Sequence, residues 1–419
     1  MKPFHGWRMV AAGSGLQFLQ AGLMQQAFGA YVAVLSVERG WSKTALSGAA
    51  ALQSVETAII GPILGWLCDR VGPHRLIRVG MLIFGLGLIL LGLVDSLLQF
   101  YGAVIVIALG TSLAGYFPIN VAIIQWFERK RARALSTVGL GLALGGVFVP
   151  VVATSIVTFG WRYTAIGSGV LAILVGWPLA RVFRGRPEDL GQTVDGVPAH
   201  RPASGPDSPA DPAADAEPGA DRRPAFTARQ ALRTRAFWLL SAGHGSALLV
   251  VTAVNVHAIT HMKESLGYNV AQASLVITLM TLAQVAGVVT GIAIGDRFDK
   301  RFVAAGCMLM HAAGLLLLTY AGGNAMLAGF AVLHGVAWGL RGPFMQAMRA
   351  DYFGVRSIGM IMGLSSLFIA FGQIGGPLIA GGFADLTGDY RLGYTILAAL
   401  ALGGGVAFLA ARPPSRPAP

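Results

Sequence analysis

Apolar residues are gathered into runs near twenty residues long that recur along the whole chain, each sufficient to cross a hydrocarbon core of about 30 Å as a helix. The pattern predicts twelve spans: Met9–Val37, Ala45–Leu67, Leu76–Val94, Leu98–Ile124, Ala134–Phe159 and Tyr163–Phe183 in the first part. Ala236–His261, Val270–Ile294, Phe302–Ala321, Ala325–Met348, Ser357–Ala384 and Leu392–Ala411 follow in the second. Glycine and proline inside these runs do not cancel them, because neighbouring helices re-satisfy the backbone groups that they free.

Polar residues between the runs set the topology. Lys and Arg fall on alternate connections, 25 on one side of the predicted membrane, five on the other (Arg39, Lys43, Arg162, Lys263 and Arg391) and only Arg341 within a span. That bias places both termini in the cytoplasm, and an odd number of spans would scramble it. Residues 186–233 differ in kind, since Val197 to Asp221 is nearly all Ala, Pro, Asp, Gly and Ser and cannot bury a core. The expected organisation is a six-helix bundle over 1–185, a disordered cytoplasmic linker over 186–233, a second six-helix bundle over 234–412, and a cytoplasmic tail over 413–419. No cleavable signal peptide is expected before the first span.

Composition agrees with an all-α integral membrane protein. Of 419 residues, 55% are hydrophobic and 12% charged, with a mean hydropathy of +0.65; soluble proteins carry roughly 25% charged residues. The net charge of +12 is spread over short inter-helix clusters, which argues against a nucleic-acid partner. Cys68 and Cys307 lie far apart in apolar surroundings, so neither a disulfide nor thiol chemistry is expected. The sequence carries no metal-ligand cluster, no cofactor fingerprint and no phosphate loop, and Gly13-Ser14-Gly15 lacks the strand-to-helix setting of a nucleophile elbow. An enzyme is not expected, and energy for any transport must come from an ion or substrate gradient.

Two short turns repeat. GWLCDRVGPHR (Gly65 to Arg75) follows the second span, and GDRFDKR (Gly295 to Arg301) follows the eighth. Two copies at matching places indicate internal duplication, a feature of transporter architecture. The first resembles the signature loop of the major facilitator superfamily, with Gly65, Asp69, Arg70, Gly72 and Arg75 at matching positions, while Pro73 and His74 replace its basic pair. The second keeps Asp296, Arg297, Lys300 and Arg301 with irregular glycine spacing. HGWRMV, RGWSKTALSGA, GWRYTA and RADYFGVRSIGMIMG are further similar to bacterial monocarboxylate and oxalate/formate carriers, although the eighth span lacks the basic residue found in some of them. The resemblance implies the major facilitator fold, two pseudo-symmetric six-helix bundles, usually monomeric, with a central cavity lined by helices 1, 4, 7 and 10. It also implies that Asp69 and Arg70 stabilise the outward-open state through contacts between the halves; Gly65, Gly72, Arg75, Asp296 and Arg297 are expected to serve the same gating, and a topology-setting basic loop is the alternative.

Charged and polar residues inside spans mark pathways by default. Arg341 shares one helical face with His334 and Trp338, at i, i+4 and i+7, and Gly342-Pro343 is expected to interrupt that helix. A guanidinium suits a carboxylate bidentately; the alternative is that Arg341 snorkels to the headgroups. Glu56, one turn after Gln53, is read as a proton carrier, with pairing to Arg341 or a structural hydrogen bond as the alternatives. Gln17 and Gln20, Tyr116 and Asn120, and His244 and Asn255 supply polar side chains to helices 1, 4 and 7. For His244, proposed with Glu56 to couple protons, and for His334, a satisfied core histidine is the competing reading. Glycine-rich stretches in helices 5 (Gly139 to Pro150) and 11 (Phe371 to Gly382) suit either rocking or tight packing.

The sequence thus points to a secondary transporter of a small organic anion, a mono- or dicarboxylate, in a bacterial-type inner (cytoplasmic) membrane. It works by alternating access, coupled to a proton or counter-substrate. Arg341, Trp338, His334, Tyr116, Asn120, Asn255 and Gln20 would form the site, without cofactor or metal. An exporter of hydrophobic or cationic compounds, using Glu56 as cation partner, is the alternative, and a transporter-like receptor lies behind both.

Overall fold

The structure is a computed structural model that describes residues 4–41, 43–196 and 226–415. Ten of its helices are long and apolar enough to cross a membrane. They are α1 (His5–Glu38), α3 (Pro73–Gly92), α4 (Leu97–Trp126), α5 (Arg131–Phe159), α6 (Trp161–Val182), α7 (Arg235–Glu264), α8 (Val270–Ile294), α9 (Lys300–Thr319), α11 (Ile358–Thr387) and α12 (Arg391–Ala410). Two more, α2 (Lys43–Val71) and α10 (Asn324–Phe353), have 29 and 30 residues.

Local chemistry sets the boundaries. Gly72 takes φ +92°, a left-handed turn that a side chain would strain, and Pro73 opens α3 where a missing N–H costs nothing. Capping boxes open α4 (Ser96 with Gln99) and α8 (Asn269 with Gln272). Four helices of the first half change form midway: α1 and α6 contain π-turns at Ala21–Gln25 and Ala172–Gly176, α5 a 3₁₀ turn at Gly146–Phe148, and α4 breaks at Gly115.

Helix contacts repeat with a step of six. In the first half α1 packs on α5, and α3 on α4 and α6; in the second α7 packs on α11, and α9 on α10 and α12. Between the halves α2 meets α11 and α8 meets α5, pairs that the same step exchanges. Small residues make these approaches possible. A Cβ added to Gly141 of α5 would strike the Ser14 carbonyl of α1, and one added to Gly372 of α11 would strike the Gly245 carbonyl of α7. The glycine-rich stretches of α5 and α11 are therefore close-packing surfaces.

Each half has its own apolar core, and the first extends into the second half through Leu340, Phe344 and Ala347 of α10 and Ile358 and Met362 of α11. The bundle is thus welded between its halves at the end that carries both termini.

The segment expected to be a disordered linker is ordered at both ends. Pro187–Leu190 and Val194–Gly196 form 3₁₀ turns. Gln192 Oε1 accepts from the His5 N–H at 2.9 Å, and Asp195 accepts from the Arg129 N–H at 2.8 Å. On the other side Phe226 is buried, its N–H donating to the Phe353 carbonyl at 3.1 Å, before a capped turn of helix at Ala228–Leu232. These residues satisfy backbone groups at spanning-helix ends, a role that composition does not reveal. The remainder of the expected linker, residues 197–225, and the tail from 416 lie outside the described residues.

Candidate functional site between the two halves

One face of α10 carries His334, Trp338, Arg341, Met345 and Arg349, spaced by four, three, four and four residues. The expected interruption at Gly342-Pro343 does not occur, and α10 runs unbroken to Phe353 with Pro343 inside it. Proline removes the helical donor to the Gly339 carbonyl. Gly339 itself packs against the Gln284 backbone of α8, where a Cβ would not fit.

Arg341 is 1% exposed and lies about 18 Å from the end of α10, twelve residues at 1.5 Å each. Its guanidinium is therefore inside the bundle rather than at a headgroup surface. Nη1 lies 3.4 Å from the Met345 sulfur, and Nε has no hydrogen-bond partner among the described residues. The sequence places Arg349 in a cytoplasmic turn, but it is a second buried arginine, 2% exposed. Its Nη2 donates to Ser365 Oγ at 2.9 Å and to His244 Nδ1 at 3.2 Å, and Ser365 Oγ is 2.8 Å from Ser241 Oγ. No ion pair reaches either arginine among the described residues. The buried charged residues among them are Arg341, Arg349 and, at the end of the bundle, Arg131, which pairs with Asp351; no carboxylate is buried to the same degree.

The first half supplies amides and a phenol. Tyr116, the first residue after the break at Gly115, has its hydroxyl 3.3 Å from where a Cβ on Gly342 would sit, so it abuts α10 beside Arg341. Asn120, one turn on, is fully buried and within reach of the Tyr116 hydroxyl; Gln17 and Gln20 are buried too, and their Nε2 atoms have no hydrogen-bond partner among the described residues. The π-turn directly after Gln20 is a local distortion of the kind that gathers at functional positions.

The end of the bundle that carries both termini is closed by two related devices. Asp69, after α2, accepts from the backbone N–H groups of Gly359 (2.9 Å) and Met360 (2.8 Å) at the start of α11. Asp296, after α8, accepts from those of Ala132 (3.0 Å) and Arg133 (3.3 Å) at the start of α5. Each carboxylate thus meets the positive end of a helix dipole in the opposite half. Gly65 lets α2 approach, since a Cβ there would strike the Gly359 carbonyl. On the Asp296 side Arg131 pairs with Asp351 of α10, and Lys300 bridges Asp296 (3.2 Å) and Asp351 (2.9 Å).

The profile of the Major Facilitator Superfamily matches residues 14–260 and 240–419. The chain belongs to this superfamily. It is therefore a membrane transporter that takes a small-molecule substrate, not an enzyme. It is 24% identical over 374 residues to the MFS transporter asaE of Aspergillus flavus, spanning 88% of this chain and 77% of that one. A probable L-galactonate transporter of Escherichia coli is 30% identical over 145 residues, 33% of this chain and 32% of its own. The fold matches the crystal structure of the human organic anion transporter MFSD10 with a TM-score of 0.70 over 97% of this chain and all of that one, at 14% identity.

Other expected site residues of this superfamily member are placed as follows. His334 is buried with Nδ1 3.2 Å from His311 Nδ1 of α9, and both Nε2 atoms are unpartnered among the described residues. Trp338, one turn on, is partly buried and packs beside His334. Asn255 is not brought into the cluster: it is exposed, three turns and about 16 Å along α7 from His244. His244 accepts from Arg349, so while that bond holds its Nδ1 is not free to take a proton. Glu56 is half-buried and accepts from Ser112 Oγ of α4 at 3.2 Å; the side chain of Gln53 lies outside the described residues. Of the basic residues assigned to closure, Arg70 stacks on Trp66 of its own helix at 5.4 Å, and Arg75 and Arg297 are exposed without a hydrogen-bonding side-chain partner among the described residues. Charge across the closure comes instead from Arg131, Lys300 and Asp351; of these only Lys300 stands in the repeated turn. A visible signal existed for Arg349, which stands at i+8 from Arg341 on the same helical stripe.

Proposed function

We propose that the protein carries a small organic anion, a mono- or dicarboxylate, by alternating access, with Arg341 as its principal ligand. Arg349, held by His244 and Ser365, sets the field from two turns further along α10. Tyr116, Asn120, Gln20 and Trp338 complete the site from both halves, and Glu56 carries the coupled proton.

The observation that supports this reading is the pair of buried guanidiniums without a described carboxylate partner. An uncompensated buried charge costs roughly several kcal/mol, which a bidentate anion offsets. A cationic cargo would meet the opposite field, since Arg341 and Arg349 are buried there and no carboxylate is fully buried among the described residues. The likeness to a probable L-galactonate transporter is in keeping with an anionic substrate. By the excess of Lys and Arg, the face that carries the termini is cytoplasmic, and this form is closed on that face. The protein is proposed to act as a monomer in the inner membrane.

Ligand-induced thermal stabilisation tests this reading across short mono- and dicarboxylates and amphiphilic cations at two pH values. A ligand at 100 times its Kd stabilises by about 2.7 kcal/mol. Carboxylates should raise the melting temperature, more at acid pH, and Arg341→Gln should abolish the shift. Stabilisation by cations alone would overturn the proposal.

A further inference from the structure

On the outer side of the first half, the beginning of α1 and the end of α6 form the walls of a groove of about 650 Å³, within the range of small-molecule sites (about 300–1,000 Å³). The walls are tied together, since the His5 ring nitrogen Nε2 lies 2.8 Å from the Val182 carbonyl. The floor is apolar, with Ala11 and Ala12 on one side and Pro178 and Leu179 on the other. The rim is cationic: Arg8, Arg181 and Arg184 all line the groove and all are exposed. None of the three has an ion-pair partner among the described residues. The carboxylate beside them, Asp189, is occupied in capping the Arg186 N–H at 2.8 Å. Arg78 adds further positive charge nearby, donating to the Phe183 carbonyl at 2.7 Å.

An apolar strip on α6 leads away from the groove. Leu171, Leu174 and Val175 of α6 are 39%, 68% and 42% exposed and lead to Pro178 at helical spacing. Exposed apolar side chains on a spanning helix face acyl chains. A chain running along this strip would bring its own headgroup to the three arginines at the membrane surface. The ligand chemistry is therefore amphiphilic, a phosphate at the rim and hydrocarbon along α6. An anionic substrate has no use for the hydrocarbon path, and a zwitterionic lipid would carry an ammonium into a cationic rim.

We propose that this groove is a binding site for an anionic phospholipid of the leaflet on the side of the termini. The inference is independent of the transported substrate. Basic pockets between spanning helices bind anionic headgroups through the same combination of charge and depth. A lipid seated there clamps α1 to α6, two helices that bracket the first half.

Native mass spectrometry of the delipidated full chain tests the site, with phosphatidylglycerol, phosphatidylcholine of the same acyl chains, and soluble glycerol 3-phosphate as probes. Phosphatidylglycerol should be retained at least tenfold better than phosphatidylcholine, and glycerol 3-phosphate should not be retained. The triple variant Arg8→Gln, Arg181→Gln, Arg184→Gln should lose this preference, and the corresponding Lys triple should keep it. A control triple at exposed arginines of the other half, Arg233→Gln, Arg235→Gln, Arg412→Gln, should bind as the parent does. Equal retention of both lipids by the parent protein overturns the proposal, as does an unchanged preference in the Gln triple. Retention of glycerol 3-phosphate as good as that of lipid would make it a free-phosphate site, and equal loss in the control would make the effect one of bulk charge; either also overturns it.

Discussion

Replacing Asp69 with Asn keeps the side chain's shape and removes its charge. The carboxylate accepts two backbone N–H groups at 2.9 and 2.8 Å; the amide keeps one acceptor and turns an NH2 group toward the other donor. Hydrogen bonds to a charged group contribute about 1.5–3 kcal/mol each, and the helix-dipole interaction about 0.3–1 kcal/mol. Partial solvent screening favours the low ends. The closed form should therefore lose about 2 kcal/mol, roughly a 30-fold shift toward opening on that side. Asp296→Asn acts on the same equilibrium through bonds of 3.0 and 3.3 Å and shares no partner with Asp69. The two losses should add to about 4 kcal/mol, several hundredfold. Ser136 provides the probe, being fully buried on α5 and close to Gly291 of α8. In a Cys68→Ser, Cys307→Ser background, maleimide labelling of Ser136→Cys measures the open population when opening is fast. Rates within threefold of the parent in both single variants would refute the capping account, and a double variant no faster than either single would refute a shared opening.

Arg341→Gln should raise the melting temperature of the ligand-free protein, because it removes a buried charge without a described counter-ion. It should also weaken carboxylate binding by about 2–5 kcal/mol, at least about 30-fold in Kd by isothermal titration. Gly65→Ala forces a Cβ against the Gly359 backbone and should populate the form open at the terminal side, read as faster labelling of the same Ser136→Cys probe without change at the opposite face. On that opposite face Arg39 and Arg162 both bond Asp95, at 2.7 and 2.6 Å, and these bonds, Arg39 first, hold its carboxyl below the usual range. A depressed folded-state value means that the contribution is present above about pH 4, the ordinary Asp value, and is lost as pH falls further. Melting curves of Asp95→Asn should therefore lie slightly below the parent at neutral pH and converge with it in acid.

Twelve spans and their duplication are legible because membrane crossing writes itself into composition and length, and the basic turns fix which connections share a side. Their ends are less legible. A span predicted to stop at Met348 excludes Arg349, because arginine near a helix end reads as a topological charge. The structure carries the helix five residues further, and Arg349 is solvated by Ser365 and His244 from two other helices, partners that no local pattern announces. Gly342-Pro343 reads as a break for a similar reason. Local propensity disfavours proline, whereas in the structure α10 runs through Pro343 while packed closely against α8 at Gly339. The closing carboxylates were visible as a repeated motif, whereas Asp351 was not. It depends on Arg131 and Lys300, distant in sequence, for its meaning.

Duplication and function separate in this molecule. The closing devices obey the six-helix step: Asp69 on α11 is exchanged with Asp296 on α5, and the α2–α11 contact with α8–α5. A rocking motion needs that symmetry, because both sides of the closure must release together. The buried charge does not obey it. The helix equivalent to α10 is α4, which brings Tyr116 and Asn120 to the centre and no cation, whereas α10 brings Arg341 and Arg349. On the reading proposed above, an anion would take most of its binding energy from the second half and meet only dipoles from the first. Such a division suits alternation. If both halves held the anion by charge, it would lock them together, and each opening would have to break an ion pair at a cost of several kcal/mol. With the charge on one half alone, as proposed, the neutral half would swing away by giving up single hydrogen bonds of about 1 kcal/mol each, and the anion would stay with the arginines until water reached it from the side that had opened.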